Sequence, residues 1–150
     1  MKVVIQRVTN ASVTVEGKLV SSIGQGLLVL AGWDSEDTEE DLDWMAGKVS
    51  RLRIFSDTEG LMNLSVEDIK GEILVVSQFT LHALTKKGNR PSFINAARPE
   101  KAIPLYNSFI QKLKDISGLN VVSGIFGADM KVELLNDGPV TIVIDTRNKE

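Results

Sequence analysis

At 150 residues, 43% of them apolar and 25% charged, the chain is long enough for one domain with a buried core. It has no cysteine and a single histidine, His82, which excludes disulfides, thiolate chemistry and a multi-histidine metal cage, and leaves a Ser-His-Asp triad dependent on that one residue. The net charge of −3 gives no global attraction to nucleic acid, so any contact with a polyanion has to come from a local group of cations.

The N-terminal apolar run in MKVVIQRV is far too short for a signal peptide, and nothing in the sequence approaches a membrane span. A soluble cytoplasmic protein with no membrane partner, no DNA partner, no cofactor and no metal is the expectation. Lys2–Val8 and Ser12–Val15 read as β-strands separated by Thr9, Asn10 and Ala11. Arg7 lies in the first of these; from the residues alone it is an ordinary surface arginine with its stem laid along apolar neighbours. A turn at Glu16-Gly17-Lys18, a short strand Leu19–Ile23, a break at Gly24-Gln25-Gly26 and a buried run Leu27–Ala31 follow.

The acidic stretch Asp34–Glu40 leads into Leu42, Met45, Ala46, Val49 and Leu52, spaced three and four apart, which predicts a helix with one apolar face. Its early acids and its late cations, Lys48, Arg51 and Arg53, suit the two ends of the helix dipole. Ile54 and Phe55 open a short strand, Ser56–Gly60 turns, and Leu61–Ile69 is irregular with one edge strand possible.

The organising stretch is Glu72–Leu81. Ile73, Leu74, Val75 and Val76 form an unbroken apolar run that suits a strand buried on both faces, although periodicity alone does not separate it from a short buried helix. It ends in Ser77, Gln78, Phe79 and Thr80: three hydrogen-bonding side chains and a ring at the end of a buried element. Such polar groups need partners or a ligand, or they simply end the strand in a polar turn. The loop His82–Pro91 then places Lys86, Lys87 and Arg90 around Gly88 and Asn89, either a solvated surface loop or a phosphate contact. No carboxylate adjoins His82 in sequence to orient it as a general base.

Arg98-Pro99-Glu100 start a helix to about Ser117 with Leu105, Phe109, Ile110, Leu113 and Ile116 on its apolar face. Pro104 fits only near a first turn, so the regular part is expected from there, and Gly118 is a natural stop. Asn120–Val122 is a short strand, followed by Ser123–Met130. Lys131–Leu135 and Val140–Ile144 read as a hairpin around the turn Asn136-Asp137-Gly138-Pro139. Gly-Pro is an unusual hairpin tip: proline removes a donor and makes the cis bond accessible, although an ordinary trans turn also accounts for it. The order of elements gives a single mixed α/β domain over residues 1–150, mainly antiparallel in its sheets, with its two main helices on one side.

Four segments stand in an order that resembles the D-aminoacyl-tRNA deacylases: Ser77-Gln78-Phe79-Thr80, Lys86–Phe93, Gly124–Met130 and Asn136–Thr141. The opening Gln6-Arg7-Val8 is similar as well, and the likeness spans the chain. It implies a layered β/β/α fold, a homodimer, and hydrolysis of the ester joining a D-amino acid to the 3′-terminal ribose of tRNA. It implies catalysis at Ser77, Gln78, Phe79 and Thr80, with the backbone amides at Gln78-Phe79 as oxyanion donors. A Gly-cisPro dipeptide, here Gly138-Pro139, would enter the pocket from the partner subunit and reject L-amino acids, held by Arg7, with Asn136 and Met130 in the same selecting set. Glycyl-tRNA, having no side chain to reject, would also be cleaved, including glycine mischarged on tRNA(Ala). Lys86, Lys87 and Arg90 would contact the tRNA backbone. A non-catalytic module that binds the tRNA 3′ end, and a hydrolase of another small ester using Thr80, remain as alternatives. The attacking water would be activated by the ribose 2′-OH rather than by Thr80, which has no base beside it in sequence.

Overall fold

The computed structural model covers residues 1–150. Its spine is strand β1, Lys2–Val15, a single strand where the sequence suggested two. Thr9 and Asn10 are exposed but keep extended backbone, because the strand is hydrogen-bonded along both edges. On one edge Lys2–Val8 pairs antiparallel with β3, Gly26–Gly32, and Ala11–Val15 pairs antiparallel with β2, Lys18–Ile23. The last strand, Lys131–Asp145, runs antiparallel along the whole of the other edge. The short pair β4, Phe55–Ser56, and β5, Met62–Leu64, forms a separate ribbon. Strand β6, Glu72–Ser77, pairs parallel with β3, and β7, Val121–Ser123, pairs parallel with β6. The last strand is β8.

Alternation along β3 and β6 divides the interior into two layers. Leu27, Val29, Ala31, Ile73 and Val75 face the helices α1, Glu39–Arg51, and α2, Pro99–Ser117. Leu28, Leu74 and Val76 face the other way and meet Val8, Ala11, Val13 and Ile23 as β1 and β2 fold over them. The result is the expected β/β/α arrangement, and β6 is the doubly buried strand that its unbroken apolar run implied.

Three local expectations change. Helix α2 starts at Pro99 and stops before Gly118 as expected, but it is regular from Pro99, not from Pro104, which lies inside it. Pro104 is the sixth helical residue, so its missing donor costs only the bond to the Glu100 carbonyl near the start of the helix. Residues Lys131–Ile144 do not fold back as a hairpin: both halves pair with β1. Between the pairs Val8↔Asn136 and Gln6↔Thr141, only Arg7 stands opposite Asp137, Gly138, Pro139 and Val140, which loop out of an otherwise continuous strand. Each half finds its partner in β1, so the turn residues mark a bulge rather than a chain reversal. The Gly138-Pro139 bond is cis, not the trans bond of an ordinary turn.

Two polar ties close the sheet. The α-amino group of Met1 is buried and donates to Asp37 and Thr146, joining the start of β1 to the approach to α1 and to the residue after β8. Glu72, at the start of β6, accepts from the Gly24 amide at 2.9 Å and from the side chain of Asn120. The Gly24 amide and the Asn120 amide group hold the Glu72 carboxyl below its ordinary value. A depressed carboxyl stabilises the fold above its unfolded value and loses that contribution as pH falls through the folded value. Glu72→Gln should therefore weaken the dependence of Tm on pH below about 4.5, measured by thermal unfolding from pH 7 to pH 3; an unchanged acid limb would show that this carboxylate is not linked to folding.

Candidate active site

A cleft forms where β3 and β6 end. Gln78 continues the ladder, its amide donating to the Ala31 carbonyl at 2.7 Å. The chain then tightens into a 3₁₀ turn over Phe79–His82. Gly32 permits this: a Cβ there would stand 2.6 Å from the Gln78 carbonyl and 3.2 Å from the His82 ring. A side chain at that position would push the turn off the sheet. His82 is buried beneath the turn, a packing residue rather than a solvated one.

The cavity has a volume of about 250 Å³. Ser77, Gln78 and Phe79 form one side, and Phe126–Met130 with Val132 form the other. Ala31, Trp33, Ala97 and Ala102 close the base between the sheet and the start of α2. The walls are stiffened by aromatic edges: Trp33 meets Tyr106 at 5.9 Å, and Tyr106 meets Phe126 at 5.5 Å. The Tyr106 hydroxyl donates to the Gly124 carbonyl at 3.1 Å, and burial pushes its phenol up. At the mouth, Phe79 is 56% exposed and stands edge-on to Phe93 at 5.0 Å.

The polar equipment is sparse. The amides of Phe79 and Thr80, at the start of the 3₁₀ turn, donate to no acceptor in the chain, as first-turn amides do. The Gln78 amide is already engaged with Ala31, so the free donor pair is one residue further along than the sequence suggested. The Thr80 hydroxyl is outside the cavity lining and accepts from Gln78 Nε2 at 2.5 Å. No base bonds to it. Asp129 is the one charged side chain of the lining, and it is exposed beside Lys131. Nowhere in the chain do three or more side chains of the types that hold metals converge. The cleft therefore offers an apolar seat for a small acyl group, with the unengaged amides of the lining residue Phe79 and of its neighbour Thr80 in the adjoining turn.

The remaining residues singled out from the sequence lie in two other places. Arg7, Asn136, Gly138 and Pro139 are together at the bulge in β8. Arg7 donates through Nε to the Asp137 carbonyl at 2.9 Å and through Nη1 to the Ile54 carbonyl at 2.7 Å. Asn136 Nδ2 donates to Gln6 Oε1 at 2.5 Å, and Asn136 Oδ1 accepts from the Val140 amide at 3.3 Å. Gly138 has φ +130°, and a Cβ on it would stand 3.0 Å from Arg7 Nη2, so the position requires glycine. Arg7 is paired with Leu27, whereas the cleft takes Ala31 and Trp33 at the far end of β3. Four to six residues of strand separate the two places, roughly 13–20 Å. Within one chain they do not meet. Lys86, Lys87 and Arg90 are exposed on a loop closed by the Leu84–Ser92 bridge and anchored beside the mouth through Phe93.

Trp33, Ala97 and Ala102 were not singled out from the sequence. Alanines carry no chemistry that would mark them; their smallness leaves the volume. Trp33 follows a strand and reads as core.

The sequence profile of the D-Tyr-tRNA(Tyr) deacylase family matches residues 4–145. The chain belongs to this family. A D-aminoacyl-tRNA deacylase of Flavobacterium psychrophilum is 62% identical over 150 residues, the whole of both chains. One of Porphyromonas gingivalis is also 62% identical over the whole of both. Among solved structures, a protein described as a c-Myc DNA unwinding element binding protein superposes with a TM-score of 0.91 at 47% identity, covering 97% of this chain and 98% of that one. A probable eukaryotic D-amino acid tRNA deacylase shares the fold with a TM-score of 0.82 at 21% identity, covering 95% and 97%. By family the chain is a deacylase, a hydrolase of acyl esters. Ala97→Leu should fill the base of the cleft and lower ester hydrolysis at least tenfold while leaving Tm within a few degrees; full activity in a folded variant would place the reaction elsewhere.

Proposed function

We propose that this protein hydrolyses the ester between a D-amino acid and the 3′-terminal ribose of tRNA. The observation that carries the reading is the pair of unengaged amides, Phe79 and Thr80, at the lip of an apolar cleft. Attack on the ester carbonyl turns its oxygen into an oxyanion, and fixed backbone donors stabilise that charge without reorganising. The cleft supplies no general base: Thr80 is tied to Gln78, and His82 is buried. The ribose 2′-OH beside the ester takes that role, activating the water. Thr80→Ala should keep at least a third of the activity, while a 3′-terminal 2′-deoxy substrate should lose most of it. An acyl-enzyme trapped on Thr80 would overturn this route.

The protein works as a homodimer in which Gly138 and Pro139 of the partner subunit complete the pocket. The separation of the bulge from the cleft along β3 supports this. So does β8, whose outer edge is unpaired and which exposes Leu135 and Val143. Main-chain atoms of the inserted segment hold the substrate's amino group and leave room for hydrogen, not a side chain, on the L side. Rejection by rigid backbone exceeds what a missing contact achieves. A time course with D-alanyl-, L-alanyl- and glycyl-tRNA should show cleavage of the first and third only; glycyl-tRNA as inert as the L ester would mean that a D side chain is required. Lys86, Lys87 and Arg90, beside the mouth, take the phosphates next to the 3′ end.

A second reading, a nucleic-acid-binding module without catalysis, is favoured by the name of the relative that superposes at a TM-score of 0.91. Tight tRNA binding with no release of D-alanine in the same time course would select it.

A further inference from the structure

A second basic surface stands apart from both the cleft and the Lys86–Arg90 loop. It is built at the C-terminal half of α1. Lys48, Arg51 and Arg53 are exposed there around a recess that also takes Trp44 and Asp43. Lys149, from the chain terminus, brings its ammonium over the Trp44 ring at 4.7 Å, and Lys48 approaches the same ring at 5.4 Å. None of these four cations is in an ion pair. Of the neighbouring acids, Asp43 is paired with Lys112 at 2.6 Å, and Asp68 accepts from the Ser65 amide at 2.8 Å and also feels the charge of Arg53 without forming an ion pair with it.

Favourable placement at a helix C-terminus explains Lys48 and Arg51. It does not explain Arg53, which lies beyond the helix, or Lys149, which comes from another part of the chain. Gathering four cations, none of them in an ion pair, on a protein of net charge −3 makes this a locally basic surface.

The place of this surface identifies its partner. Ile54, one residue after Arg53, accepts from Arg7 Nη1, and Arg7 Nε holds the Asp137 carbonyl. The basic surface therefore shares one end of the molecule with the Gly138-Pro139 bulge, opposite its own cleft. We propose that Lys48, Arg51, Arg53 and Lys149 bind phosphates of the tRNA whose 3′ end occupies the partner subunit's cleft, so that each tRNA is held across both subunits. This rests on the reading that Gly138 and Pro139 act in trans.

The test uses K48Q/R51Q/R53Q, which removes charge and keeps the polar stems. Against D-alanyl-tRNA, KM at low salt should rise about tenfold or more with kcat unchanged, and the slope of log KM against log salt should fall by about two to three. Hydrolysis of 3′-O-D-alanyl-adenosine, which has no phosphates, should not change. Differently tagged heterodimers then separate trans from cis, using Ala97→Leu to close one cleft. With the closed cleft and the triple variant in different chains, KM should be that of the unmodified dimer. With both in the same chain, the open cleft faces the damaged surface, and KM should rise.

The reverse pattern, or no difference between the heterodimers, overturns the proposal. So does an unchanged salt slope, or a loss of duplex-DNA affinity with tRNA KM intact, which would make the surface a DNA site. If the unmodified protein hydrolyses neither substrate, the deacylase reading has failed; the salt slope of tRNA binding, compared between homodimers and the two heterodimers, still tests the surface.

Discussion

Strand β1 is the element on which the other parts depend, because one strand serves two layers. Its first half forms the floor shared with β3, and its second half turns over with β2 to cover Leu28, Leu74 and Val76. A strand buried this way has no spare edge: β8 takes the side left by β3 and β2. The two hydrophobic interiors exist because β3 and β6, buried on both faces, can direct alternate side chains to each.

The cleft follows from the same geometry. Parallel pairing of β3 with β6 brings their carboxyl ends together, and the chain leaves β6 through a turn whose first amides have nothing to bond. Crevices outside the carboxyl ends of adjacent parallel strands are natural binding sites. In this chain the parallel part is only β3, β6 and β7 within a mainly antiparallel domain, and the cleft is at that part. Gly32 and the buried His82 fix how closely the turn approaches the sheet.

What the sequence made legible was what periodicity and punctuation encode. The apolar run Ile73–Val76 and the helix face Leu42–Val49 are where the residues placed them. The failures share a cause. Thr9-Asn10 and Asn136–Pro139 carry turn chemistry, yet each lies in a strand whose continuity is decided by a partner more than a hundred residues away. Local propensity does not contain that partner. The turn Pro99–Ile103 is regular helix ahead of Pro104 because Pro99 suits a first helical position and Ala102 packs inward, neither of which the apolar stripe Leu105–Ile116 shows. The engagement of the Gln78 amide by Ala31 is likewise a register fact, visible only once β3 and β6 are paired.

The distribution of charge separates two tasks that a net charge of −3 conceals. The cleft is lined almost wholly by apolar and neutral groups, whereas two clusters of cations without ion pairs lie on the Lys86–Arg90 loop and on the α1 surface. At physiological salt the screening length is about 8 Å, so a surface cation at the far end of β3 contributes almost nothing to an oxyanion in the cleft. Attraction for a polyanion can then be strengthened or weakened without altering the reaction. In the proposed reaction the charge that develops on the ester oxygen falls to backbone dipoles, which act at contact distance and in a less polar setting, where each is worth more than in water. An ester whose leaving group carries its own activating hydroxyl needs little else from the protein, which fits a cleft with no side-chain base. Around the cleft, the proposed mechanism asks the fold to hold two amides and an apolar wall still, and the aromatic contacts among Trp33, Tyr106 and Phe126 stiffen that wall.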